Sequence, residues 1–392
     1  MMRMTDPLTA VELPEGGALC AVSGGLDSMC LLEMTVRQGQ KQGRRVAAAH
    51  FNHQLRGAEA DRDEAFVRDW CAAREIPFFA GRGDVRVFAE ETGRTVEEAA
   101  RQLRYKFLEE TRRREGFGCI LTAHHADDSA ETMLLNLLRG TGLKGLTGIP
   151  EKRDCILRPL LGATRAELAA YAAEHRIPFV EDSTNGTDDA ARNMLRHQVL
   201  PVLKKLNPRV VENMSRTASL LAADEAALDA ACRKLLAQCA VTPNVSGMIP
   251  LAVLQDAPEA LRGRLVLAVL AAVAGHEKDL TAAHIRAVLT LDRGQLSMPY
   301  GVTVLRESAA LRFFKAASAP AVRAAGRSGA GAGADGCAAD RVRSAAGRAE
   351  LSLHRLHFLC IDSGAHGALQ RRKAGAGAGG RLDSETDDRH IL

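Results

Sequence analysis

Two stretches of this 392-residue chain carry residues whose types and spacing could do chemistry. The first is Ser23-Gly24-Gly25-Leu26-Asp27-Ser28, in which a glycine turn closes an apolar run and opens a helical pattern. Such a turn presents backbone N–H groups and the positive end of a helix dipole, and so favours phosphate. Most phosphate-binding loops place a lysine here. This one places Asp27, so the role of that carboxylate decides the chemistry. Read alone, the glycines also fit a plain strand-to-helix turn.

The second stretch, LTAHHADDSAETMLLNLLRG at 121 to 140, sets a polar cluster at the carboxyl end of an expected strand, where open α/β sheets bind ligands. Asp128 and Glu131 are three apart on the helix that follows, which puts both carboxylates on one face and lets them grip an ammonium group together. In isolation, Asp127 and Asp128 serve equally as caps that favour the helix dipole. His50, His53, His124 and His125 gather at two strand ends and could imitate a metal cluster, but no one segment has an established ligand spacing.

The elements that must position these residues alternate along the chain. Apolar runs at 17 to 22, 45 to 51, 76 to 80 and 118 to 123 read as buried strands. Helical spacing fills 27 to 39, 58 to 75, 94 to 114 and 126 to 139, with a further helix at 164 to 175. The expectation is an α/β fold with a doubly wound, mostly parallel sheet. Residues 189 to 206 carry apolar and basic positions at helical spacing up to Asn207-Pro208, which suggests a boundary there. A catalytic domain over 1–208 would then be followed by a mainly helical domain over 209–315, ending in a short hairpin. Beyond it, 316–392 reads as a largely disordered tail, because Val322 and Val342 are the only aliphatic residues larger than alanine in 316 to 350.

Composition bounds the function loosely. The 52 basic against 48 acidic residues give a net charge of +4, which permits an anionic partner without demanding one. Nine scattered cysteines contain no CxxC, so neither a zinc site nor a disulfide framework is suggested, and a reducing cytoplasm fits. The first residues lack the apolar core of a signal peptide, and the longest apolar run, at 265 to 275, is too short to span a bilayer. No GxxxxGK followed by Ser or Thr is present, and the GxGxxG at Gly140 to Gly145 follows a helix instead of a strand.

SGGLDS resembles the pyrophosphate loop of the N-type ATP pyrophosphatase (PP-loop) superfamily, of adenine nucleotide alpha hydrolase-like fold, whose members cleave ATP between its α and β phosphates. Six further blocks follow in order: HFNHQLRG at 50 to 57, EEAARQLRYKFL at 97 to 108, TAHHADDSAET at 122 to 132, RGTGLKGLTGIP at 139 to 150, ILRPLL at 156 to 161, and EDSTN with RNMLRHQVLP at 181 to 201. Together they resemble the tRNA(Ile)-lysidine synthase family over about residues 18 to 208.

That resemblance implies a ligase of tRNA processing. ATP would adenylate C2 of the wobble cytidine, position 34, of tRNA(Ile) with a CAU anticodon; free L-lysine would then displace AMP to give lysidine. It implies that Ser23, Gly24, Gly25, Leu26, Asp27 and Ser28 bind ATP, the serine hydroxyls and backbone amides holding the departing pyrophosphate. Asp27 would hold Mg2+ or orient the reacting group, and Asp128 and Glu131 would contact lysine, with Asp27 and Asp128 as the catalytic carboxylates. Arg101, Arg104, Arg139, Lys144, Arg192 and Arg196 are candidates for ATP-phosphate or tRNA-backbone contacts, or else for a solvated face and pairing with carboxylates such as Asp182. Loop 139 to 150, with four glycines, suits a mobile lid. The family's bacterial members commonly carry a C-terminal β-containing domain that grips the acceptor stem and are often homodimers; here the region after Lys315 turns to Ala, Gly and Arg. The competing reading, a cytidine thiolase of the same superfamily, would need cysteines for sulfur or cluster chemistry.

Overall fold

The first apolar run becomes strand β1 (Ala18–Ala21), buried on both faces as a central parallel strand must be. The structure, a computed structural model, describes residues 7–55, 57–181 and 190–315. The chain continues through α1 (Leu26–Gln42), β2 (Val46–Asn52), α2 (Ala58–Ala72), β3 (Phe78–Arg82), α3 (Val85–Thr92) and α4 (Val96–Glu115). It then forms β4 (Cys119–Leu121), α5 (Ala126–Leu138), α6 (Leu143–Leu146), β5 (Lys152–Arg153), β6 (Ile156–Leu157) and α7 (Arg165–His175). The expected alternation is present. β3 begins two residues later than the apolar run because Pro77 has no N–H for the ladder and contributes only its carbonyl, to Ala48 N.

These strands make one six-stranded sheet in the order β3-β2-β1-β4-β6-β5, parallel except for the β5–β6 pair. Side chains alternate along β1 as a period of two requires. Ala18 and Cys20 join a core with α1, α2 and α7, whereas Leu19 joins Leu108 and Phe117 on the α4 side. The sheet is therefore covered on both faces. From β1 the chain builds outward to β2 and β3 and then returns to place β4 on the other side, so the topological switch lies between β1 and β4. Ligands of doubly wound folds bind at this crevice, and both chemical stretches emerge there.

After α7 come α8 (Ala190–Met194), a π turn (Leu195–Val199), α9 (Leu200–Leu206) and α10 (Val210–Leu236). The Asn207-Pro208 turn separates α9 from α10. Contacts divide the chain later, into Met1–Lys234 and Leu235–Leu392, since Val211 of α10 packs with Ala126, Ala130 and Leu200.

The second unit is less helical than its Ala- and Leu-rich sequence suggests. It holds β7 (Ala240–Thr242), β8 (Ser246–Pro250), α11 (Leu251–Asp256), α12 (Glu259–Ala274), α13 (Ala282–Leu289), β9 (Gly294–Ser297), β10 (Val302–Arg306) and β11 (Ala310–Lys315). The expected hairpin is β10–β11, and it belongs to an antiparallel five-stranded sheet in the order β7-β8-β11-β10-β9. Leu265, Val266, Val269 and Val273 of α12 are fully buried. Gly247 on β8 permits that packing, because a Cβ there would lie 2.5 Å from Val269 Cγ1. Among the described residues no helix is long and apolar enough to cross a membrane. The tail from 316, and Asp182 within EDSTN, lie outside the described residues.

Candidate active site

The loop after β1 is tied by its two serines. Ser28 Oγ accepts from Ser23 N (3.1 Å) and Gly24 N (3.2 Å) and donates to Gly25 O (2.9 Å). Ser23 Oγ sits 3.1 Å from Ser28 Oγ and accepts from Gly25 N. The serine hydroxyls thus organise the turn, and Ser28 is buried. Gly24 has φ +96°, a conformation side-chain-bearing residues rarely adopt. Its carbonyl accepts from Val180 N at 2.9 Å, pinning the loop to the segment after α7. Gly25 begins α1 without any side-chain cap. The first-turn amides of α1, with Leu26 and Asp27 leading, are left to an incoming anion.

Asp27 sits in that first turn. Arg165 Nη1, at the start of α7, donates to its Oδ2 at 3.1 Å, and His125 Nε2 lies 3.6 Å from the same oxygen. Oδ1 is buried with no hydrogen-bond partner among the described residues. An orphaned carboxylate oxygen beside an uncapped helix start fits a hard cation such as Mg2+, which takes one or two carboxylates and completes its shell with phosphate and water.

Across the switch, the start of α5 gathers three more carboxylates. Asp128 Oδ2 caps the helix by accepting from His125 N at 3.0 Å, and its Oδ1 accepts from Arg196 Nη2 at 3.2 Å. Capping and cation binding are both present in the one side chain. Glu131, 1% exposed, receives Arg196 through Nε (2.7 Å) and Nη2 (3.0 Å), while Arg192 Nε stands 3.5 Å away. Asp127 accepts from Lys204 Nζ (2.8 Å) and Arg165 N (2.9 Å). Burial works against ionising Asp127, yet Lys204 and the Arg165 amide outweigh it and lower its pKa.

Arg196 lies in the π turn, a wider coil that commonly marks functional sites. Its guanidinium occupies the Asp128–Glu131 pair, so a cation already sits where the sequence suggested an ammonium. Beside it opens a cavity of about 340 Å³ lined by Glu131, Arg196, Lys204, Ala166, Ala169 and Leu200.

His125 is 2% exposed and faces Asp27, Asp127 and Asp128. Burial disfavours its charge, but the three carboxylates reverse that and raise its pKa above the ordinary 6.5. A raised value means the imidazolium stabilises the fold fully below 6.5 and loses that contribution as pH climbs through the folded value. Urea unfolding at about pH 6 and about pH 8 should therefore show the wild type losing stability relative to His125→Gln at the higher pH. Equal differences at both would remove His125 as a cation.

The remaining residues separate. Arg101 and Arg104 stand over the Tyr105 ring, with guanidinium carbons 4.9 and 5.3 Å from its centroid, on the α4 side. Arg192 Nη2 donates to Thr132 Oγ1 at 3.2 Å. Arg139 ends α5 and Lys144 lies in α6, both on exposed surface. The structure thus joins Asp27, Asp128, Glu131, Arg192 and Arg196 around one crevice, and sets the Arg101–Arg104 pair apart. It adds Arg165 and Lys204, which the sequence offered only as ordinary helix residues. Burial pushes the thiols of Cys20, Cys30 and Cys119 up to about 12 and those of Cys71 and Cys155 to about 11, leaving these five unsuited to sulfur transfer.

Comparison with known proteins adds relatives. The model of the PP-loop domain matches residues 3–203. A tRNA(Ile)-lysidine synthase of Porphyromonas gingivalis (strain ATCC BAA-308 / W83) is 44% identical over 200 residues, 51% of this chain and 43% of that protein. Another, from Geobacillus kaustophilus (strain HTA426), is 32% identical over 305 residues, 75% of this chain and 66% of that protein. A solved U34-tRNA thiolase from Methanococcus maripaludis, with its 4Fe-4S cluster, aligns at 18% identity and a TM-score of 0.43 over 52% of this chain and 71% of that one. The chain spans under half the length of the first relative and about two thirds of the second.

Proposed function

This chain belongs to the PP-loop family, and from that premise we propose that it joins lysine to the wobble cytidine of tRNA(Ile) with a CAU anticodon, using ATP. The observation that carries the reading is the opposed pair of half-sites at one switch point: an uncapped helix start with Asp27 on β1's side, and a cation-holding Asp128–Glu131 pair on β4's side.

In the first step the cytidine O2 attacks the α-phosphorus of ATP. An O–P bond forms, the α–β bridge breaks and pyrophosphate leaves. The first-turn amides of α1 and the Arg165 guanidinium supply positive charge for the leaving group, and the raised pKa of His125 favours a further positive charge beside them. Asp27 would hold Mg2+, which when bound offsets phosphate charge.

In the second step the lysine ε-amine attacks C2 and AMP leaves with the C2–O bond. An ammonium cannot attack, so a proton must first go to a base. The carboxylates around His125 raise its pKa and so favour its charged form, which cannot accept a proton, and the carboxylates of Asp128 and Glu131 are the acceptors we assign. Lysine entering the cavity would lay its methylenes on Ala166, Ala169 and Leu200 and displace Arg196 from the carboxylates.

Incubation with ATP, radiolabelled lysine and tRNA transcripts tests the proposal. The expected result is label on the CAU-anticodon tRNA with equimolar AMP. ATP cleavage without lysine transfer to any tRNA would refute it.

A further inference from the structure

Two cations hold α5 one turn apart. Arg196 takes Glu131 and Lys204 takes Asp127, four positions earlier, a rise of about 6 Å along the helix. Leu200 lies midway between the two cations in the chain and lines the same cavity. The cavity is therefore polar at both ends and apolar between them. Its far end has unused capacity. Lys204 Nζ donates to Asp127 Oδ1 at 2.8 Å, and no other described group accepts from this ammonium, which carries three donors on a side chain 44% exposed. Asp127 receives Lys204 on Oδ1 and the Arg165 amide on Oδ2, and an ionised carboxylate has lone pairs beyond those. An ion pair with capacity left on both partners is complementary to a zwitterion.

We infer that the Asp127–Lys204 pair seats the head group of the incoming amino acid, Lys204 receiving its α-carboxylate and Asp127 its α-ammonium. The inference rests on the proposed reaction with lysine, and it makes Lys204 the residue that selects an amino acid over a simple diamine. The four-carbon stem between lysine's two amines covers about the distance between the two ends of the cavity. The other cations lining the cavity are committed elsewhere. Arg165 Nη1 donates to Asp27 on the phosphate side, and Arg196 stands at the carboxylates that the ε-ammonium itself takes. Seating the head also fixes which nitrogen reacts. The α-amine is the weaker base of the two and would lose its proton first. Beside Asp127, whose pKa is lowered, it stays an ammonium, and the ε-nitrogen at Asp128 and Glu131 is the one freed to attack.

Equilibrium dialysis of the full chain, without RNA, against radiolabelled L-lysine and radiolabelled cadaverine tests the inference, because cadaverine is lysine without its carboxyl group. Wild type should bind lysine about tenfold or more tightly than cadaverine, the scale of one charge-assisted hydrogen bond. In Lys204→Gln, whose amide can still donate to Asp127, lysine should bind about tenfold more weakly while cadaverine binds at least as well as in wild type. The preference should then fall to within about twofold. Equal weakening of both ligands would make Lys204 only a tie between α9 and α5 and overturn the inference. A preference that survives the substitution overturns it too, by assigning the carboxylate to another cation, as does a wild type that binds neither ligand. If dialysis shows the expected pattern but no lysine reaches the tRNA, the proposed reaction falls and the head-group seat stands.

Discussion

Asp27→Asn should slow pyrophosphate release by about 10²- to 10³-fold while the protein stays folded, the scale seen when one preorganised electrostatic group is removed from a reacting centre. The amide keeps an oxygen for Arg165 Nη1 and the shape of the α1 first turn, so the local packing survives. What disappears is the negative charge at the buried, unpartnered Oδ1 and the counter-charge to His125. Two readouts follow. The rate of ATP cleavage with saturating tRNA and lysine should fall, and the His125 pKa should fall with it by NMR titration, because one of its three carboxylates has gone. Full activity in this variant would remove Asp27 from the mechanism.

Glu131→Gln should act on the other half-reaction. Its carboxylate is 1% exposed and takes both Arg196 nitrogens, so neutralising it leaves a guanidinium facing an amide. Breaking a buried pair costs on the order of 3–5 kcal/mol when the other charge cannot reach water; Arg196 is 34% exposed, so the lower end applies. The expected outcome is a loss of roughly 10²-fold in kcat/KM for lysine, with ATP cleavage within about threefold of wild type. Asp128→Asn should cost less, since an asparagine oxygen can still accept from His125 N. Equal lysine kinetics in both variants would mean that the pair serves only to fasten Arg196.

What was legible in the sequence is what depends on neighbours in the chain. The strand–glycine turn–helix at 23 to 28 and the shared face of Asp128 and Glu131 follow from local periodicity, and both are found in the fold. The ion pairs that complete the crevice join residues 138 apart for Arg165 and Asp27, 77 apart for Lys204 and Asp127, and 65 apart for Arg196 and Glu131. No spacing rule reaches that far. For Arg196 the sequence leaves a phosphate contact and a carboxylate partner both open, and nothing along the chain tells that its guanidinium turns to Asp128 and Glu131. Likewise β7 and β8 escaped because five or fewer residues with Gly247 and Pro250 among them carry too little alternation to compete with the helical pattern on either side.

The wide coil at Leu195–Val199 makes chain length itself a determinant of the crevice. On a regular helix, side chains eight positions apart diverge by about 80° and lie at opposite margins of one face; the wider coil turns less per residue, which narrows that angle, and Arg196 and Lys204 both reach the amino end of α5. Deleting a single residue there, with every charged group retained, would force the chain to give up one anchor or the other.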